Sequence, residues 1–278
     1  MPFSPKNSRY VKEPTMKHKK SRSELRSGFS FGKTVFPFLM LFLLSGYAHG
    51  ANFDIKPVKI YFDAQTRIEK LTLKNMSDEN FRLQLKAYIW TQGEKGEDLY
   101  EETNDIIMFP KILSLKREEE RIVRIGTNVT PGEIEKTYRI YIEQMPPTED
   151  EAKGATVRML MKIGVPLFIS PLKKGEKGDV ESVSLRNGKA EVKVGNKGNL
   201  HFAITGINVT GFDNKGTAVY STELGVWYLL HNKSRMYEAS VPQDTCNGLA
   251  KLRVAMRTKD FTRTGEINVE RAMCRPNR

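Results

Sequence analysis

Apolar and polar residues alternate along most of the chain after residue 50. The alternation is clearest in five runs separated by turn-forming residues: Phe53–Phe62, Leu71–Lys74, Phe81–Trp90, Arg121–Ile125 and Tyr138–Glu143. A period of two is typical of strands in antiparallel sheets with one buried face. We find no convincing amphipathic helix of about ten or more residues. The pattern predicts an all-β fold, and about seven short strands over about 120 residues is the number found in an immunoglobulin-like sandwich.

A second group of strand-like runs follows a polar segment, 170–178, that is rich in glycine and lysine. The runs are Val180–Leu185, Ala190–Val194, His201–Val209, Ala218–Tyr220, Val226–Leu230 and Leu249–Met256. Such a polar segment is typical of a domain junction. We therefore predict two immunoglobulin-like β-sandwich domains, 51–171 and 172–278, which are not an obvious sequence repeat of each other.

The first 50 residues have the features of an export signal. A basic region precedes an apolar stretch of 11 residues, 34–44, and Ala48-His49-Gly50 offers a small-x-small cleavage site. The apolar stretch is too short for a bilayer-spanning helix, which needs about 20 residues. We predict that residues 1–50 are removed on export. An uncleaved membrane anchor is the alternative, and Met16 is an alternative start.

The net charge of +12 lies mostly in this leader. Residues 1–50 contain nine basic and two acidic side chains, which leaves +5 on the other 228 residues. The remaining cations are scattered over strands, without the clustered basic and aromatic surface of a nucleic-acid-binding module. We therefore predict no nucleic-acid partner.

The chain has two cysteines, Cys246 and Cys274, both in the predicted exported part. In an oxidising compartment such a pair predicts a possible disulfide. It would enclose 27 residues, for which chain entropy gives about 3–4 kcal/mol of stabilisation. A metal site is not predicted, because there is no CxxC motif and only two histidines follow residue 50.

The common catalytic and nucleotide-binding motifs are missing from the sequence. The acidic clusters 118–120 and 149–151 lie in polar, turn-like segments and are interpreted as solvated loops. We predict a binding protein rather than an enzyme, with no cofactor.

Three stretches resemble the periplasmic chaperones of the chaperone–usher pilus pathway. The first comprises Ile60–Asp63 and Leu71–Asn75; the second comprises Phe109-Pro110, Leu115 and Arg121–Ile125; the third comprises Tyr138–Pro147, Val157–Lys162 and Val165–Pro171. The third is the most specific: a tyrosine-rich strand ends in Met-Pro-Pro, an acidic loop follows, and an alternating strand ends in proline. The resemblance implies a periplasmic protein that binds pilus subunits and delivers them to an outer-membrane usher.

The resemblance also implies a strand that fills the open groove of an incomplete subunit. The candidate is Thr156–Gly164, where Val157, Met159, Met161 and Ile163 are apolar at a spacing of two. The opposite face is polar except for Leu160, which we expect to pack within the protein's own sandwich. The alternative is that this segment is only a core strand.

In this family two basic residues hold the carboxylate at the subunit's C-terminus. Lys59 matches the first position, although lysine cannot make the flat two-pronged contact of arginine. The second position falls on Pro166, which cannot serve. Lys162, four residues earlier on the same strand, is the predicted substitute, and Arg158 is the next candidate for this position.

A different class of protein fits the same pattern of strands. A secreted structural or adhesive protein of two immunoglobulin-like domains would need no such cations, and it would tolerate polar substitutions in 157–163.

Overall fold

Residues 53–146, 159–225 and 227–275 are described by a computed structural model. The N-terminal part forms ten strands: β1 Phe53–Lys56, β2 Ile60–Phe62, β3 Ile68–Asn75, β4 Phe81–Gln92, β5 Asp98–Glu102, β6 Ile106–Phe109, β7 Ile112–Leu115, β8 Glu120–Thr127, β9 Lys136–Gln144 and β10 Lys162–Ile169. The alternating runs of the sequence correspond to strands such as β3 and β4, which bury every second side chain over most of their length.

These ten strands form two sheets. The first has the order β1-β3-β8-β6, and the second has the order β2-β10-β9-β4-β5 with β7 added to β4. The inward side chains of both sheets form one buried core, which includes Leu71, Leu83, Ile125 and Ile140. Two packed sheets of mainly antiparallel strands define a β-sandwich.

The C-terminal part forms a second sandwich. Its strands are β11 Gly178–Arg186, β12 Lys189–Asn196, β13 Phe202–Phe212, β14 Ala218–Leu224, β15 Tyr228–Leu229, β16 Ser234–Ser240, β17 Lys251–Thr258 and β18 Thr262–Asn268. One sheet has the order β11-β12-β16, and the other has the order β14-β13-β17-β18 with β15 added to β13. A separate buried core, which includes Val192, Val209 and Val254, fills the space between them.

Two short helical segments lie near the C-terminus, a helix α1 at Gln243–Asn247 and a 3-10 turn at Arg271–Cys274. A disulfide joins Cys246 in α1 to Cys274 in the turn, with the Cα atoms 5.7 Å apart. Both cysteines are buried in the C-terminal core, so the bridge fixes the end of the chain to this sandwich.

The prediction of an all-β protein is confirmed. Within the described ranges no helix is long and apolar enough to cross a membrane. The predicted leader, the side chain of Val157 and the acidic cluster 149–151 lie outside the described residues. The domain bounds 51–171 and 172–278 stay predictions.

Candidate functional site

Strand β10 pairs with β9 along its whole length but with β2 only at its end. The pairs with β9 run from Lys162↔Glu143 to Ile169↔Lys136. Strand β2 lies parallel to β10 on the other side and covers only Leu167–Ile169. For residues 162–166, no described strand occupies that second side. This unpaired edge, 162–166, is called the open edge below.

Successive residues of β10 direct their backbone hydrogen-bonding groups to opposite sides of the strand. The backbone N–H of Gln144 donates to the carbonyl of Met161 at 2.8 Å, so the odd-numbered residues of β10 bond to β9. The backbone groups of Lys162, Gly164 and Pro166 therefore point to the open edge. Pro166 has no N–H, and such an edge is where a strand accepts proline at least cost.

The odd-numbered side chains of this segment grade from exposed to buried. Met159 is 90% exposed, Met161 and Ile163 are partly buried, and Val165 is 2% exposed. Ile163 packs against the N-terminal core, whereas Met159 does not belong to it. The predicted apolar row therefore exists from 159 onward, and its first members do not stabilise the protein's own core.

The local structure corrects one expectation. Leu160 is 48% exposed and lies outside the buried cores, so the prediction that it packs within the sandwich was wrong. The regular strand begins only at Lys162, and Leu160 precedes it.

Lys162 lies on the other side of β10 and already has an anionic partner. Its Nζ is 2.7 Å from Glu143 Oε1 and lies over the ring of Tyr141, 4.4 Å from the centroid. The hydrogen bond to Glu143 raises the pKa of Lys162. Its charge is therefore balanced within the sheet.

Lys59 precedes β2 and lies at the end of the open edge. Its Nζ is 5.1 Å from the centroid of the Tyr228 ring, which belongs to the second sandwich. A hydrogen bond with Tyr228 raises the pKa of Lys59 against the effect of partial burial. Among the described residues no carboxylate lies within 4.0 Å of this ammonium group. Lys59 is thus a cation without an anionic partner in this part of the chain.

Arg139 is a second such cation, which the sequence analysis did not identify. It lies on β9 directly opposite Pro166, and opposite residues in a sheet point to the same face. Its side chain is 6% exposed, and its guanidinium carbon lies 4.2 Å from the ring centroid of Trp90 and 5.9 Å from that of Trp227. No ion pair to Arg139 exists within the described ranges.

Gly164 leaves the space that the Arg139 side chain occupies. Nη1 of Arg139 donates to the carbonyl of Gly164 at 3.4 Å. A Cβ atom on Gly164 would lie only 3.0 Å from Arg139 Cδ and 3.0 Å from Tyr141 Cε1. The absence of a side chain at 164 therefore allows the arginine to lie across β10.

Hydrogen bonds and aromatic contacts fix the second sandwich next to this site, within one compact unit. The Gln92 side chain donates to the Tyr228 carbonyl at 2.9 Å and accepts from the Leu230 N–H at 3.0 Å. The buried Glu135 carboxylate accepts from the backbone N–H of His201 at 2.8 Å and lies 2.7 Å from its ring Nδ1. The His201 ring stacks on Phe168 of β10. The strand with the open edge is thereby coupled to both sandwiches.

Comparisons with known proteins identify the family and the fold that this chain resembles. Residues 52–174 match the family described as the pili and flagellar-assembly chaperone, PapD N-terminal domain. The chain is 27% identical over 189 residues to an uncharacterized fimbrial chaperone of Escherichia coli K12, YbgP, an alignment that covers 62% of this chain and 76% of that protein.

Two solved structures have a similar fold. One is the CsuC–CsuE chaperone–tip adhesion subunit pre-assembly complex from archaic chaperone-usher Csu pili of Acinetobacter baumannii, with a TM-score of 0.53 and 18% identity. The other is the YadV chaperone, with a TM-score of 0.52 and 12% identity. Each match covers 78% of this chain and 98% of the other. At such identities the likeness shows the fold alone, two immunoglobulin-like sandwiches.

The fold and the family match define the class, that of the pilus-assembly chaperones. The resemblance carried by the sequence is confirmed. Residues 52–174, which are less than half of the chain, match the N-terminal domain of the PapD-like chaperones.

Proposed function

We propose that this protein is a periplasmic chaperone that binds pilus subunits by adding β10 to their incomplete sheet and delivers them to an outer-membrane usher. The observation that carries the proposal is the open edge, 162–166, next to Met159 and Met161, two apolar side chains that do not belong to the protein's own core. An open edge offers backbone hydrogen bonds, and alternate apolar side chains fill a complementary groove.

The apolar side chains at alternate positions are proposed to fill the groove of the subunit. Val157, Met159, Met161 and Ile163 are the proposed contacts, and the last three lie within the described residues. Methionine side chains repack readily, which suits a strand that accommodates several different grooves.

The direction of the bound strand follows from charge. The open edge is collinear with β2, which runs parallel to β10. A subunit strand that runs parallel to β10 on this edge ends at Lys59. A strand of the opposite direction would bring its own N-terminal ammonium group there, and like charges repel. The arrangement therefore favours a parallel strand with a free C-terminal carboxylate.

Arg139 is the better second cation for this carboxylate. It lies opposite Pro166, where the family places a lysine, and it has no anionic partner among the described residues. Lys162, by contrast, forms an ion pair with Glu143. Arginine binds a carboxylate through two parallel hydrogen bonds, and a charge-assisted hydrogen bond contributes about 1.5–3 kcal/mol.

The test is recovery of the protein from its own host. The mature protein, tagged and expressed there, is isolated from the periplasm, and its companions are identified by mass spectrometry. Small pilin-like subunits in stoichiometric amounts are the expected result. An empty protein from a piliated host would overturn the proposal and favour a secreted structural or adhesive protein.

Variants then test the two cations. Lys59→Glu and Arg139→Gln are expected to abolish or strongly reduce capture, and Lys162→Gln distinguishes Arg139 from the cation that the sequence predicts. Lys70→Glu, an exposed lysine on the first sheet, is the matched control. Normal capture of subunits by Arg139→Gln, together with loss of capture in Lys162→Gln, would show that Lys162 is the second cation that binds the carboxylate.

A further inference from the structure

The guanidinium of Arg139 is flanked by the chain's only two tryptophans. Trp90 is on β4 in the first sandwich and is fully buried, whereas Trp227 belongs to the second sandwich and is 39% exposed. A cation over an indole ring is stabilised by the ring's electron-rich face. Contacts with the two rings leave the N–H groups of the guanidinium for hydrogen bonds, and one of them, Nη1, donates to the Gly164 carbonyl.

Asp98, at the start of β5, holds both indoles. Its Oδ1 accepts from Trp90 Nε1 at 2.9 Å, and its Oδ2 accepts from Trp227 Nε1 at 2.7 Å. Gln92 Nε2 donates to Oδ1 at 3.1 Å, and the Tyr100 hydroxyl lies 3.4 Å from Oδ2. Both carboxylate oxygens are therefore occupied by neutral donors.

The oxygens of Asp98 are bonded to neutral donors rather than to Arg139. Asp98 forms no ion pair with Arg139 within 4.0 Å, although both contact the same two tryptophans. A cation with little solvent exposure and no counter-ion is costly, and an external carboxylate removes that cost. The charge of Arg139 is thus kept for a ligand.

We propose that Asp98 is a positioning residue for the subunit-binding site. By bonding one indole from each sandwich, it forms the aromatic walls that direct the edge of Arg139 toward a terminal carboxylate. The inference rests on the proposed function and extends it. Selection of a free carboxylate over a neutral amide depends on the contacts of Asp98 with the two tryptophans. Because these belong to different sandwiches, the selective site exists only when the two sandwiches are docked.

The two indole N–H groups provide a direct measurement. Uniform ¹⁵N labelling of the mature protein gives two indole signals, both from side chains next to Arg139. The probes are N-acetylglycine, which carries a carboxylate like that of a chain terminus, and N-acetylglycinamide, which does not. The acid should shift both signals saturably, and the amide should not.

Asp98→Asn is the decisive variant. Its amide nitrogen cannot accept an indole N–H, so one of the two walls loses its support. The variant should bind the acid about tenfold more weakly than the wild type does, which corresponds to about 1.4 kcal/mol. The ratio of its affinity for the acid to its affinity for the amide should approach one. Asp179→Asn, which removes a carboxylate on β11 that pairs with Lys197, should leave the preference unchanged. Trp227→Phe removes one indole N–H while keeping an aromatic ring, and it should weaken the preference without unfolding the protein.

Two results would overturn the inference. One is Asp98→Asn binding the acid with wild-type affinity and preference. The other is a wild-type protein whose indole signals respond equally to acid and amide, or to neither. Capture of pilin-like subunits by the wild-type protein is scored separately. If capture is normal while either result holds, the role of Asp98 fails and the proposed function stands; loss of capture is a failure of the function itself.

Discussion

Alanine substitution along the odd-numbered side of β10 should separate binding from stability. The row runs from Met159, which is 90% exposed, through Met161 and Ile163 to Val165, which is buried. Because exposure falls steadily along the row, the effect of truncation should move from subunit binding at one end to folding at the other.

The magnitudes follow from burial. Met159→Ala should change the free energy of unfolding by no more than about 0.5 kcal/mol, because the side chain is exposed in the free protein. Val165→Ala removes two buried carbons at about 0.8 kcal/mol each and leaves a small cavity, so it should cost about 2 kcal/mol. Ile163→Ala should cost about 1–2 kcal/mol, since it is only partly buried.

Binding should show the reverse order. A methionine that becomes buried in a subunit groove contributes about 1.5–3 kcal/mol. Met159→Ala or Met161→Ala should therefore weaken subunit binding by about tenfold to 150-fold. Val165→Ala should leave the affinity of the folded fraction close to that of the wild type.

Two measurements on each variant decide the matter: urea unfolding of the free protein, and titration with the subunit recovered from the periplasm. Equal losses of stability for Met159→Ala and Val165→Ala would show that the segment is an ordinary core strand. Unchanged affinity in both methionine variants would refute the groove-filling role.

Three further substitutions have defined outcomes. His201→Ala removes the ring that stacks on Phe168 and is hydrogen-bonded to Glu135. The free energy of unfolding should fall by about 1.5–3 kcal/mol, and the midpoint of thermal unfolding should fall with it. An unchanged midpoint would contradict this. Burial raises the pKa of Tyr138, so its contribution to stability should be constant below its ordinary pKa of about 10 and be lost at higher pH, because the unfolded chain ionises first. Tyr138→Phe should make the fall in stability at alkaline pH smaller, and a fall identical to that of the wild type would contradict this. Gly164→Ala should displace Arg139 and weaken subunit capture, with little change in the far-UV circular dichroism spectrum; wild-type capture would contradict the role of the close approach.

Strands with a strict apolar period were predictable, and strands without one were not. β3 and β4 bury every second residue over most of their length, and their burial is visible as alternation in the sequence. β16 and β18 were missed because each carries few large apolar residues and occupies the edge of its sheet. An edge strand is fixed by pairing with its neighbour, which a single sequence does not display.

The candidate site shows the same limit. The sequence predicts Met159, Met161, Ile163 and Lys59 as subunit contacts from the family resemblance, and these roles stay predictions. Arg139 was missed because, between Tyr138 and Ile140, it has the pattern of an ordinary outward-facing residue. Its significance depends on its cross-strand register with Pro166 and on an indole from the other sandwich, and neither is a local property of the sequence.

Strand β2 also sets the point at which a partner strand must end. It occupies the edge of β10 at Leu167–Ile169, so pairing along the open edge stops at Pro166, next to Ile60 at the start of β2. A partner chain that continued past its last paired residue would collide with β2 or have to turn away. Strand β2 thus accepts a partner chain that ends next to Pro166 and sterically excludes a chain that continues along β10.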